Sequence, residues 1–139
     1  MNLNFSVNWY LVGGGTLLGM VIGMLWYSPL LFCSLWLKAM GLSIADIAES
    51  GISQNAAYLT STLAHALLSF VTGFLLLNMH VHGFFNGMIF GLVFWLGFNF
   101  TSVIKYVFFE TRPWRLFLID AGYDIACFTL TAGIFGQWQ

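Results

Sequence analysis

Charged residues are scarce in this chain of 139 residues. There are four Lys and Arg residues and five Asp and Glu residues, so that 6% of the chain is charged and the formal net charge is −1. In soluble domains about a quarter of the residues are charged. The lack of positive charge also excludes a basic surface for nucleic acid or for anionic lipid headgroups. We therefore expect no nucleic-acid partner.

Apolar residues take the place of the missing charge, because 60% of the chain is hydrophobic and 19% is aromatic. A soluble domain of this length could not bury so much apolar surface, so residues 1–139 are predicted to form one integral membrane domain. A bilayer core requires roughly 20 helical residues to cross it. The apolar runs predict an all-α fold of four transmembrane helices in two hairpins, at about 9–28, 56–78, 83–109 and 114–137, with a polar loop at 38–54.

Motifs for enzyme and metal chemistry are also missing. Cys33 and Cys127 are far apart, without the CxxC spacing of a disulfide enzyme. No metalloprotease motif, phosphate-binding loop or Ser-His pair occurs on a suitable element. Met79, His80 and His82 form a turn, but a metal site usually has three or four ligands. We predict no metal and no cofactor, and an enzyme is the least favoured class.

The polar loop contains one local helix signal. Ser43 and Asp46 are three residues apart, which is typical of a residue pair that caps the N-terminus of a helix. A short helix on the membrane surface and a solvated connector both remain open as interpretations.

Glycine recurs at every fourth residue in the first and the third spans. Such small residues let membrane helices approach closely, so they favour helix packing over a flexible gate. The two ladders also hint at an internal repeat of about 68 residues. Because they offer packing surface, we expect a homo-oligomer. The ladders consist of Gly15, Gly19, Gly23, Gly83, Gly87 and Gly91.

The few cations predict the orientation. Lys38 follows the first span, whereas Lys105, Arg112 and Arg115 flank the turn between the third and fourth spans, which also contains Glu110. By the positive-inside rule, loops 38–54 and 110–113 are cytoplasmic and both termini are outside. Aromatic residues near the cytoplasmic boundary are expected to be interface anchors.

Those anchors are Trp26 and Tyr27, whereas Trp95 lies deeper and is expected in the core. The second span carries a polar stripe at helical spacing, which should face inward. The stripe consists of Thr62, His65, Ser69, Thr72 and Gly73.

Polar residues also occur at matching depths in three spans. Counting about 1.5 Å per residue from the cytoplasmic ends places His65, Asn99 and Asp124 about 13 to 16 Å deep. Lys105 and Asp120 form a second layer about 7 Å deep. An ionised Asp at the centre of a span costs about 2.5 to 3.5 kcal/mol. Asp124 is therefore either a proton or cation carrier with His65 and Asn99 as partners, or a structural residue that stays protonated or pairs with His65. Asp120 either has a functional role, or it forms a salt bridge with Lys105 or a contact with Arg115 or Arg112.

These residues favour a transport or channel-like protein for protons, cations or a small solute. A structural or interaction protein without transport is the alternative, and a membrane-embedded enzyme is less favoured. Replacing Asp124 by Asn would separate the first two, because a flux would be lost while a purely structural network would be nearly intact.

Five short motifs identify a family resemblance. They are LWYSPLLF at 25–32, MGL at 40–42, WLGF at 95–98, FETRP at 109–113, and LFLI at 116–119 with Gly122-Tyr123. In this order they resemble a family of small bacterial membrane proteins, the domain of unknown function 1761, over most of the chain outside about 43–80. The resemblance implies a four-helix protein of the bacterial inner membrane, and it implies no activity.

Overall fold

The computed structural model of the chain describes residues 3–51 and 53–139. Within these residues the fold consists of seven α-helices and a π-helical segment, and it has no strands. The α-helices are α1 (Trp9–Trp26), α2 (Cys33–Met40), α3 (Ile44–Glu49), α4 (Gln54–Asn78), α5 (Phe84–Phe94), α6 (Thr101–Phe109) and α7 (Trp114–Trp138). The π-helical segment Trp95–Phe100 joins α5 to α6, so that both belong to one continuous rod.

Among the described residues, four helices are long and apolar enough to cross a bilayer: α1, α4, the rod Phe84–Phe109, and α7. This confirms the predicted all-α fold with four spanning helices, and the chain is a multi-pass membrane protein. The observed helices lie close to the predicted spans. The internal repeat stays a prediction.

The connection between the first two spans is more ordered than predicted. The α1 helix ends at Trp26, shortly before Pro29, because a proline disfavours helical backbone in the residue that precedes it. A tight turn leads into α2, which Gly41 ends in the left-handed conformation with a φ of 68°. The segment predicted as loop 38–54 therefore holds the end of α2 and the whole of α3.

The helix signal at Ser43 is confirmed. The Ser43 hydroxyl accepts a hydrogen bond from the Asp46 N–H at 3.2 Å, and the Asp46 carboxylate accepts one from the Ser43 N–H at 2.7 Å. This reciprocal pair satisfies two backbone donors at the start of α3. The helix expected in one of the two interpretations is therefore present, and its position relative to the membrane surface is not tested.

The last helix, α7, is the centre of the bundle and packs against α1, α4 and α5. Near its C-terminus the packing is tight and apolar, and we call this region the closed end. It contains a buried cluster contributed by the N-terminal segment, α1, α4 and α7: Val7, Val12, Leu76, Ala132 and Phe135. Because no side chain in this cluster is charged, the closed end resembles an ordinary apolar core.

The second glycine ladder forms the contact between α5 and α7 at the closed end. The Gly83 N–H donates a hydrogen bond to the Gly136 carbonyl at 2.6 Å. A methyl group on Gly87 would collide with the Ala132 carbonyl, and one on Gly91 would collide with the Phe128 carbonyl. These glycines therefore allow two helix backbones to touch.

The first glycine ladder contacts side chains instead of backbone. A methyl group would meet the hydroxyl of Ser69 at Gly15, the imidazole of His65 at Gly19, and the hydroxyl of Tyr123 at Gly23. Both ladders are thus occupied within one protomer. The expected homo-oligomer is not tested by this packing, but its argument from exposed ladders no longer applies.

The polar stripe of α4 faces inward, as predicted. Ser69 and Thr72 are 0% and 3% exposed, Gly73 is buried, and His65 is half-buried. Trp95 is also buried, which confirms the prediction that it belongs to the core. The inward stripe brings His65 against α7, where the polar residues of the next section lie.

Candidate functional site

A cavity of about 760 Å³ lies between α2, α3, α6 and α7, at the end of the bundle opposite to the closed end. We call this region the open end. The cavity wall is mostly apolar, with three charged side chains, Arg112, Asp120 and Asp124. Its volume falls in the range of sites that enclose a small molecule, about 300 to 1,000 Å³.

The two carboxylates of the wall lie one helical turn apart on α7, so they face the same side. At about 1.5 Å per residue from Trp114, Asp120 is about 9 Å and Asp124 about 15 Å from the start of the helix. The cavity therefore reaches from the end of the bundle to Asp124, about two fifths of the way along α7.

Asp124 is held by an amide from the rod. The Asn99 side-chain amide donates a hydrogen bond to the Asp124 carboxylate at 2.7 Å. Asn99 belongs to the π-helical segment Trp95–Phe100, a rare helix type that often occurs at functional sites. Two members of the predicted cluster, Asn99 and Asp124, are thus in direct contact.

His65, the third member, has a different partner from the one predicted. Its Nε2 lies 2.8 Å from the Tyr123 hydroxyl, and its Nδ1 lies 2.7 Å from the Ser61 carbonyl. A carbonyl only accepts hydrogen bonds, so Nδ1 is the donor there, and Nε2 of a neutral imidazole accepts from Tyr123. The prediction that Asp124 pairs with His65 was therefore wrong, because the α7 residue that contacts His65 is Tyr123.

Asp120 also has a neutral partner. The Tyr27 hydroxyl donates a hydrogen bond to its carboxylate at 2.8 Å. The neighbouring Trp26 Nε1–H donates to the Ile119 carbonyl at 3.0 Å. Both aromatic residues, which the sequence predicts as interface anchors, thus tie the end of α1 to α7.

The predicted salt bridge between Asp120 and Lys105 is not formed. Lys105 has an exposed side chain on α6, as has Arg115 on α7. Within residues 3–51 and 53–139 the one ion pair joins Arg112 to Glu110, at 2.8 Å. The Arg112 guanidinium also lies 4.8 Å from the centre of the Tyr106 ring. The cation in the cavity wall therefore already has a carboxylate partner in the same turn.

A second cavity of about 430 Å³ lies on the α1 and α4 side of the open end. His65, Gly19 and Gly23 contribute to its wall. Tyr27 and Tyr123 line both cavities, with ring centroids 5.4 Å apart and a tilt of 63°. This pair of rings, here called the tyrosine pair, therefore separates the two cavities.

Sequence reasoning missed the tyrosine pair and Trp36 as site residues. Tyr123 carried a signal, because it precedes Asp124 and belongs to the Gly-Tyr motif. Tyr27 also belongs to a motif, LWYSPLLF at 25–32, whereas Trp36 carried no signal. The turn between α1 and α2 brings both residues beneath α7 only in the folded chain. Both residues line the cavity because of the tertiary fold and not because of a local pattern.

The fold and this cavity define a multi-pass helical membrane protein with carboxylates inside its spanning region. The family model described as "Protein of unknown function (DUF1761)" matches residues 11–136, and the chain belongs to this family, as its motifs predict. No curated protein and no solved structure matches the chain.

Proposed function

We propose that this protein is a small transport or channel-like protein for protons, cations or a small solute. The observation that supports it is the placement of Asp120 and Asp124 in the wall of a large cavity, each bound by a neutral donor. A carboxylate in the membrane is costly unless it is protonated or neutralised by a cation. Neither Tyr27 nor Asn99 supplies that charge, and in this proposal the transported proton or cation supplies it.

The proposal includes an orientation and an assembly. By the positive-inside rule, the open end faces the cytoplasm of a bacterial cell, with loops 38–54 and 110–113 on that side and both termini outside. The cavity then takes up its cargo from the cytoplasm. Because both cavities described above lie at the open end, a homo-oligomer would provide the rest of the route.

A structural or interaction protein is the second candidate. Four hydrogen bonds at the open end connect different spans, from Trp26, Tyr27, Asn99 and Tyr123. Interhelical hydrogen bonds in membranes contribute about 0.6 kcal/mol each on average. Such bonds alone would stabilise the bundle, but they would not require a cavity beside them.

Flux into sealed proteoliposomes separates the two candidates. We expect a pH- or cation-driven flux in the native protein that Asp124→Asn abolishes, because the amide can neither release a proton nor neutralise a cation. Glu49→Gln is the matched control, since it removes a carboxylate from α3 outside the spans. No flux under any gradient, with both proteins well folded, would favour the structural candidate. Equal flux through the native and Asp124→Asn proteins would show transport that does not use Asp124.

A further inference from the structure

The wall of the 760 Å³ cavity combines aromatic rings with negative charge. Five rings line it, from Tyr27, Trp36, Tyr106, Phe117 and Tyr123. The Arg112 guanidinium already lies 4.8 Å from the centre of the Tyr106 ring, so four rings are left for a ligand. Aromatic faces carry the negative end of the ring quadrupole and attract cations within about 6 Å of the centroid. The wall therefore presents a surface that suits an apolar body with a positive charge.

The charged side chains of the wall also favour a cationic ligand. Asp120 and Asp124 are bound by neutral donors, whereas Arg112 is paired with Glu110 at 2.8 Å. Among the described residues neither carboxylate forms an ion pair, so a cation in the cavity would be the partner of their ionised form. An anion would be repelled there, and a neutral molecule would leave the carboxylates without a counterion.

The composition of the wall argues against a metal ion. Ca²⁺ takes six to eight oxygen ligands, and Mg²⁺ requires a near-octahedral shell. No group of three or more His, Cys, Asp or Glu residues is placed to hold a metal in the described part of the chain. The rest of the wall is largely apolar, so it would not replace the hydration shell of an inorganic ion.

A proton alone would not require such a cavity. Proton transfer between Asp120 and Asp124 needs a few water molecules at most, whereas the cavity has the size of a small-molecule site. Size, rings and charge together select one class of ligand.

From this combination we infer that the cavity binds a hydrophobic organic cation, with its apolar groups among the rings and its charge beside Asp120 and Asp124. The inference deepens the proposed function, because it names the cargo class, and as a statement about transport it rests on that function. As a statement about binding it stands on the cavity alone. No covalent step is involved.

Two ions of the same shape and opposite charge test this inference. Tetraphenylphosphonium and tetraphenylborate are titrated into the detergent-solubilised full chain, and binding is followed by calorimetry and by quenching of tryptophan fluorescence. We expect saturable binding of the cation and none of the anion. Binding of the anion as tight as that of the cation would overturn the inference, because the cavity would then be only an apolar crevice.

Substitutions locate the bound cation. Asp120→Asn and Asp124→Asn should each weaken binding of tetraphenylphosphonium at least tenfold, since each removes a counterion. Phe117→Ala should weaken it several-fold by removing a ring, and this variant keeps the test valid if a carboxylate variant misfolds. Leu118→Ala, an exposed neighbour on α7 outside the wall, is the matched control. Unchanged affinity in all three wall variants would overturn the inference.

Proteoliposome flux distinguishes failure of the ligand class from failure of transport. Saturable cation binding that needs Asp124, without any flux, would support the binding site and refute the proposed transport. Proton flux that needs Asp124, without binding of tetraphenylphosphonium, would support transport and overturn the organic cation as the cargo.

Discussion

The two ends of the bundle use the same residue, glycine, for opposite purposes. At the closed end, Gly87 and Gly91 have no side chain, so the backbones of α5 and α7 touch. At the open end, Gly19 and Gly23 leave room for the side chains of His65 and Tyr123. A glycine ladder therefore does not by itself indicate a helix dimer. It leaves a groove, and either a backbone or polar side chains can occupy that groove.

The largest effect on stability is expected at the closed end. Gly87→Ala places a methyl group against the Ala132 carbonyl, which cannot rotate away, so the helices must separate. We expect a loss of about 1 to 3 kcal/mol in the free energy of unfolding, the usual range for overpacking. Denaturant titration in detergent measures it. Gly97→Ala is the control, since nothing lies within 4 Å of its added methyl group; equal effects of the two would contradict the backbone contact.

A smaller loss is expected from Gly19→Ala at the open end. The methyl group would overlap the His65 imidazole, which is a side chain and can turn aside at a cost of about 1 kcal/mol. The hydrogen bond between His65 and Tyr123 should break, which NMR of the ¹⁵N-labelled imidazole would detect. Gly14→Ala lies on the same helix with open space around it. If the His65 imidazole spectrum changed as much in Gly14→Ala as in Gly19→Ala, the steric explanation would fail.

Tyr123→Phe should lower the free energy of unfolding by still less. It keeps the ring in the tyrosine pair and removes only the hydroxyl that contacts His65 at 2.8 Å. We expect about 0.6 kcal/mol, the average for such bonds in membranes. Amide hydrogen exchange should accelerate near His65 and stay unchanged in α5. Faster exchange at the closed end would mean that the two ends are not independent.

The smallest effect concerns α3 and its pH dependence. The hydrogen bonds from the Ser43 side chain and backbone lower the pKa of Asp46 from its ordinary value of 3.8. A lowered pKa in the folded state contributes stability above the unfolded pKa, and this contribution disappears as the pH falls through the folded pKa. The protection factors of the α3 amides, which are corrected for the intrinsic pH dependence of exchange, should therefore be lower well below pH 3.8 than at neutral pH. Ser43→Ala should weaken this dependence, and an unchanged dependence would rule out the cap as its cause.

The spanning helices could be predicted because their cause is local. Each span is a long apolar run, and a bilayer requires about 20 such residues wherever they occur. The cap at Ser43 was predictable for the same reason, since its two partners are three residues apart. Both features are confirmed by the structure.

The partners of the polar residues could not be predicted in the same way. Depth along the helices brought Asn99 to the level of Asp124, but depth contains no information on rotation about the helix axis. Lys105 shares the predicted layer of Asp120 and faces outward, whereas Tyr27 reaches Asp120 from the end of α1. The contact between Tyr27 and Asp120 depends on how the turn before α2 folds, which the sequence pattern does not give.

The π-helical segment Trp95–Phe100 sets the angular phase of the third span. In a regular α-helix the twelve residues from Gly87 to Asn99 would complete three turns plus about 120°. Asn99 would then point about a third of a turn away from the glycine row that contacts α7. A wider turn advances each residue through a smaller angle, which brings the amide back toward Asp124. One extra residue in the turn thus lets a single helix contact α7 through glycine at one end and through an amide at the other.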